Sequence, residues 1–228
     1  HPRIPALACL KFDWLHPQRR PTCPVLNIGG EHAPVVMSYQ ADTRLAAPTY
    51  NGGVPHPDYT YFGENLPSDW KKRTAAAIVD APSWTGEAGT YPAFVPDYLM
   101  FVSQCSAKAK FLFLSYVQLN EEVKACLKYH PEIVVVAQSN HPNRSGELRA
   151  LVHEMGNAGL TNPVVFFQQY ADREKEDFQI KAAADMGTLM FDGFTDGLML
   201  ASPLAERDET AFGILQAGRL RMTRTEYI

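Results

Sequence analysis

The chain has 228 residues, 46% of them hydrophobic and 20% charged, with a formal net charge of −4. Those proportions fit a globular domain with a sizeable core and exclude a disordered or fibrous chain. The small negative balance gives no bulk attraction to nucleic acid or an anionic membrane, and no apolar run approaches the ~18 residues that would span a bilayer.

Residues 1–33 are rich in Pro, Arg and His and show no clear period, so they read as an irregular lead-in. Their opening, HPRIPALACLKFDW, lacks the long apolar core and small-residue cleavage site of a signal peptide. A cytoplasmic protein is therefore expected, with its four cysteines as free thiols. None of Cys9, Cys23, Cys105 and Cys126 forms a C-x-x-C pair, so no metal or redox site is expected within the chain.

From Pro34 a rhythm of short β-rich runs begins, at 34–40, 58–63, 76–81, 98–104, 110–118, 132–140, 162–170 and 197–202. Most are continuously apolar, the mark of strands buried on both faces of a parallel sheet. Helical patterns separate the later runs. Residues 119–130 place Val123, Cys126 and Leu127 on one face, and 145–160 gather Leu148, Leu151, Val152 and Met155. Residues 174–193 read as helical over their first half, and 208–221 throughout. Eight strands alternating with helices predict an α/β fold of the TIM-barrel-like (β/α)8 type. The first half is less regular: 48–58 is rich in Pro and Gly, and 81–97 reads as one long loop. Two Asp-Gly steps in DGFTDGLML, residues 192–200, suit a tight helix-to-strand corner better than a phosphate cradle.

The expected C-terminal strand ends carry Gln40, Gln104, Gln118, Gln138, Ser139, Asn140, His141, Gln168, Gln169 and Ser202. This set is polar but almost uncharged. It offers no carboxylate pair, no Schiff-base lysine and no metal cluster, and glutamine does not titrate. Asp80 and His141 are the exceptions, and both also suit turn positions. A scaffold with a glutamine-lined mouth is the favoured reading. The alternative is an independent barrel enzyme for a neutral polar substrate such as a sugar, with Asp80 or His141 as its acid–base group. Basic residues at 19–20, 71–73 and 219–224 form modest clusters of the kind that face solvent.

MGTLMFDGFTDGLML, followed by TAFGILQAGRLRMTRTEYI, resembles the long, three-part form of 4-hydroxy-3-methylbut-2-enyl diphosphate synthase. Residues 180–228 carry the resemblance most strongly, and over 1–100 only the order of elements carries it. The absence of a TEAG stretch and of strand-end arginines points to that family's inserted, spacer-like barrel rather than its catalytic one. The resemblance implies a domain at 34–228 that ends where an iron–sulfur domain would begin, just beyond Ile228. It further implies a parent oxidoreductase of the methylerythritol phosphate pathway, which reductively opens 2-C-methylerythritol 2,4-cyclodiphosphate. That parent would use a 4Fe-4S cluster fed by ferredoxin or flavodoxin, and its catalytic barrel and iron–sulfur domain would be this domain's partners. Arg219, Arg221 and Arg224, with Thr223 and Glu226, are then candidates for an interdomain or substrate-proximal role. Cations at a helix C-terminus also complement its dipole at ~0.3–1 kcal/mol each.

Overall fold

The computed structural model describes residues 18–50, 53 and 55–222. Eight parallel strands close into a barrel in chain order. They are β1 (Val35–Tyr39), β2 (Tyr59–Tyr61), β3 (Ala77–Asp80), β4 (Thr90–Phe94), β5 (Lys110–Leu114), β6 (Ile133–Ala137), β7 (Val164–Gln169) and β8 (Gly197–Ala201). Helices α1 (Glu121–Tyr129), α2 (Arg144–Asn157), α3 (Lys175–Phe191) and α4 (Arg207–Ala217) follow β5, β6, β7 and β8. Among the described residues, the first four strands are followed only by loops and 3-10 turns, at Trp70–Lys72, Ala81–Ser83 and Pro96–Gln104. The expected irregularity of the first half is this absence of α-helices.

The strands are apolar throughout because each faces two cores. Alternate side chains point to opposite faces. Val35, Met37, Phe111, Val134, Val136, Val165 and Met199 fill the barrel interior. Val36, Leu112, Val135, Phe166, Leu198 and Leu200 pack outward, with Leu148, Met155, Phe178 and Phe212 of the helices. The barrel closes where Val35 pairs with Gly197. A Cβ at Gly197 would stand 2.7 Å from Val35 Cγ2 and 2.9 Å from Val35 O, so only glycine lets β8 approach β1 this closely.

The described part of the lead-in is the floor of this barrel. Val25 and Ile28 form an antiparallel bridge and join the interior core from below. Residues 1–17 of the lead-in, Cys9 among them, lie outside the described residues.

Three features differ from the sequence reading. The fourth strand is Thr90–Phe94, inside the stretch read as loop, and 98–104 is part of a 3-10 segment. Pro92 disguised the strand, since proline removes a ladder donor. The run after Pro96 is apolar but buries only Leu99 and Val102, three apart, as a helical turn does. Periodicity alone does not separate these cases in a short apolar run. Helix α3 is continuous over 17 residues, because Met186, Leu189 and Met190 extend its buried stripe past Gly187. Helix α4 stops at Ala217 rather than continuing to 221. A Cβ at the capping Gly218 would collide with the Met190 sulfur, so Gly218 permits the close α3–α4 contact.

Candidate functional site

The C-terminal end of the barrel is capped by rings rather than by glutamines. Tyr39 of β1 stacks on Phe167 of β7 at 5.2 Å between centroids and 17° between planes. Phe113 of β5 meets Phe167 edge-on at 5.9 Å and lies 4.9 Å from Tyr61 of β2. Asp80 of β3 joins this layer, accepting a 2.7 Å hydrogen bond from the Tyr61 hydroxyl. Burial, helped by that carboxylate, pushes the Tyr61 phenol above its ordinary range. The Tyr61 side chain therefore stays a phenol.

Strand alternation divides the polar residues expected at the mouth. Phe167 points inward, which sends Gln168 outward and Gln169 in the direction of the mouth; Gln138 shares the inward parity of Val134 and Val136. Gln40 bonds Ser38 on the outer side of β1 at 3.2 Å. Gln118 ends a 3-10 turn at Tyr116–Gln118, and its Oε1 accepts from Ser115 N at 2.9 Å in a capping box. Gln104 closes the 3-10 segment after β4. Ser139 donates to Glu147 of α2 and accepts from His141 N at 3.1 Å. His141 Nδ1 in turn accepts from Asn143 N at 3.0 Å. His141 lines an outer groove with Asn140, Arg144, Tyr170 and Asp185, away from the Asp80–Tyr61 pair. Sequence spacing brought these residues to one end of the barrel but not into one site.

Ser202 and the loop after β1 frame a buried polar cluster that strand-end reading missed. Arg207, 1% exposed, donates to Ala46 O, Leu204 O and Tyr39 O at 2.8–3.1 Å. Its neighbour Asp208 is fully buried and accepts from the Tyr50 hydroxyl at 2.9 Å. Burial pushes the Asp208 carboxyl up and the Arg207 guanidinium down, and each partly offsets the other. Their visible signal was only an Arg-Asp step opening a helix. The cluster pins the β1 loop to α4.

The basic clusters separate by depth. Lys71 and Arg73 stay at the surface in pairs with Glu87 at 2.6 Å and Asp69 at 2.9 Å. Arg19 and Arg20 do not face solvent freely as expected. Arg19 bonds the buried Asp196 at 2.8 Å, and Arg20 bonds Leu160 O and Asn162 O at 2.7 and 3.0 Å. The α3–β8 link that holds Asp196 lies at the N-terminal end of the barrel, and Asp196 also accepts from Val164 N. This supports the structural reading of DGFTDGLML: Gly193 sits at φ 76, where a Cβ would strike the Gln18 carbonyl.

Of the tail residues, Arg219 is exposed and adopts φ 56, the left-handed region, just after α4. Arg221 folds back beneath the barrel onto Asp58 and over the Phe212 ring at 5.0 Å. Thr223, Arg224 and Glu226 lie outside the described residues. Cys23, Cys105 and Cys126 are free, on three separate elements. Among the described residues no three His, Cys, Asp or Glu side chains converge on a metal site. The described donors therefore do not fit the ligand set of a 4Fe-4S cluster. No helix among the described residues is long and apolar enough to cross a membrane.

A different surface is unusual. Between β3, β4 and the 3-10 segment runs an apolar groove of about 550 Å³, lined by Pro82, Trp84, Phe94, Tyr98, Phe101 and neighbours. It lies where a regular (β/α)8 barrel would carry crossover helices.

No family model matches the chain. The chain is 52% identical over its whole length to a 4-hydroxy-3-methylbut-2-en-1-yl diphosphate synthase (flavodoxin) of Bacteroides thetaiotaomicron, of which it covers 37%. A synthase of the same name from Phocaeicola vulgatus is 48% identical, again over the whole chain and 37% of the relative. One from Chlorobaculum tepidum matches 35% of the chain at 38% identity, covering 11% of its own length. The chain thus spans little more than a third of the length of the curated relatives it matches most fully.

Proposed function

We propose, from a chain homologous along its whole length to one segment of the 4-hydroxy-3-methylbut-2-en-1-yl diphosphate synthases, that it is the spacer barrel of such an enzyme. The whole enzyme would reduce 2-C-methylerythritol 2,4-cyclodiphosphate by two electrons with loss of water. Flavodoxin, which the relatives' names carry, would be the electron donor. A 4Fe-4S cluster, held by cysteines outside the described residues, would supply the redox chemistry. This barrel's part is mechanical. A rigid body sets the distance between the domain that holds substrate and the domain that delivers electrons. Misplacement by ~1 Å can cost ~100-fold in rate, so rigidity matters.

The observation that carries this reading is the ring layer over the barrel mouth, with Tyr39 stacked on Phe167 and Asp80 bonded to Tyr61. It closes the barrel axis below the βα-loops with packed side chains, and its carboxylate, Asp80, is engaged by Tyr61. In the full-length synthase, Asp80→Asn and Gln138→Ala should leave turnover of the cyclodiphosphate with reduced flavodoxin within about twofold of the parent. A loss of tenfold or more at normal melting temperature would place chemistry in the mouth and favour the independent-enzyme reading.

A further inference from the structure

The flank that carries the apolar groove is also poor in charge. From Ala88 to Ala107 the only charged residue is Asp97, and from Phe111 to Asn120 there is none, although a fifth of the chain is charged. Of the eleven large apolar side chains exposed among the described residues, six lie in the neighbouring connections after β4 and β5. They are Val95, Tyr98, Met100, Phe101, Tyr116 and Val117, with Met100 71% and Val117 80% exposed. Scattered exposed apolar residues need no explanation, but Tyr98 and Phe101 line the groove itself, with Val95 and Met100 in the same segment, and an apolar patch at a groove marks an interaction site. Its depletion of charge and enrichment in Tyr, Phe and Met match the core of a protein interface. The missing crossover helices leave room for a helix on this flank.

We infer that this flank is the docking surface for another part of the same polypeptide, lying outside the 228 residues and presenting an apolar helical face to the groove. The inference rests on the spacer reading and adds the face through which the barrel is held. Two observations select a tethered occupant over a second copy or a free partner. The relatives carry nearly two thirds of their length outside the matched segment, so covering chain is at hand. The groove's ten lining residues and the four exposed apolar residues beside them still fall short of the ~20–30 a side in a stable interface between separate proteins. Tethering raises effective concentration to about millimolar, at which a surface of this size suffices.

Photo-crosslinking in the full-length synthase tests this. p-Benzoylphenylalanine is placed at Met100 or Val117, both exposed enough to tolerate it, and at Ile180 of α3, 61% exposed on another face, as the control. After irradiation the products are mapped by mass spectrometry. The expected result is intrachain crosslinks from Met100 and Val117 to residues outside this segment, at least fivefold above any from Ile180. Crosslinks joining two chains, crosslinks to flavodoxin, or yields equal to the Ile180 control would overturn the inference. Turnover is measured separately on the same variants before irradiation. The spacer reading can therefore fail in the mouth variants while the docking result stands, and the reverse.

Discussion

Arg221 closes its guanidinium on both carboxylate oxygens of Asp58, at 3.1 Å for the longer contact, and reaches Pro34 O at 3.1 Å with the same fork. Asp58 Oδ2 also accepts the Val36 N–H at 2.8 Å. One ion pair therefore ties the segment after α4 to the base of β1 and β2. Both side chains are about four-fifths buried, so removing one strands the other in a poorly hydrated place. Asp58→Ala should lower the stability of the chain by about 2 kcal/mol, read from urea unfolding, and Arg221→Lys by less. A loss below about 0.5 kcal/mol for Asp58→Ala would show that the pair is no more than a surface contact.

Arg219 makes a contrast two residues earlier. It is exposed and sits at φ 56, which costs an L-residue conformational energy and suits glycine. Arg219→Gly should raise stability by about 0.5–1 kcal/mol in the same assay. If Arg219 serves the interdomain role suggested by its family resemblance, the full-length enzyme should lose turnover in this variant while its stability rises. Turnover that is unchanged beside higher stability would remove Arg219 from that role.

Seven of the eight strands were legible in sequence because their burial on two faces makes them continuous apolar runs, as in the 133–137 segment Ile-Val-Val-Val-Ala. β4 was not legible, because its proline, in a stretch that also holds Pro82, Gly86, Gly89 and Pro96, looks like a loop. The mouth was misread for a related reason. Chain position places Gln40, Gln168 and Gln138 at strand ends, but the barrel's inner parity decides which of them face the axis. That parity shows in the aromatic set Tyr39, Tyr61, Phe113 and Phe167, whose rings meet across the barrel axis. The bonds of Arg19 to Asp196 and Arg20 to Leu160 span more than a hundred residues, so no local pattern announces them.

Asp208 is fully buried next to Arg207 in sequence, with one oxygen on the Tyr50 hydroxyl and the other without a hydrogen-bond partner. Asp208→Ala removes a buried carboxylate, strands the Tyr50 hydroxyl and leaves a small cavity, and should cost about 2–3 kcal/mol. Tyr50→Phe deletes one hydrogen bond to a carboxylate and should cost about 1.5–3 kcal/mol. Thermal melts of both variants check the order. A Tyr50→Phe cost equal to or above that of Asp208→Ala would mean that the carboxylate acts only through its bond to the loop tyrosine.

The described cysteines also give a direct expectation for the 228-residue chain. Cys23, Cys105 and Cys126 sit on separate elements and do not converge. Anaerobic reconstitution with iron and sulfide should therefore yield no stoichiometric cluster, followed by iron analysis and visible absorbance. One cluster per chain would show that this segment carries ligands of its own.

His153 of α2 gives a pH dependence whose sign can be worked out. Its Nε2 is buried, and its ring meets Phe194 edge-on at 5.1 Å. Burial holds its pKa below the ordinary 6.5; nearby Arg149 pushes the same way and Asp192 opposes. Arg149 and Asp192 pair with each other at 2.6 Å, so their effects on the ring partly cancel. With the folded pKa depressed, the unfolded chain binds more protons than the folded one between the folded value and 6.5. Stability therefore rises with pH across that window. The contribution is fully present above 6.5 and is lost as pH falls toward the folded value. Melting temperatures at pH 7.5 and 5.5 should show a drop for the parent chain that is smaller in His153→Phe, which keeps an aromatic against Phe194 but does not titrate. The other histidines and the carboxylates contribute to both proteins, so the difference between the two drops isolates His153. Equal drops would mean that His153 is protonated as easily in the fold as out of it.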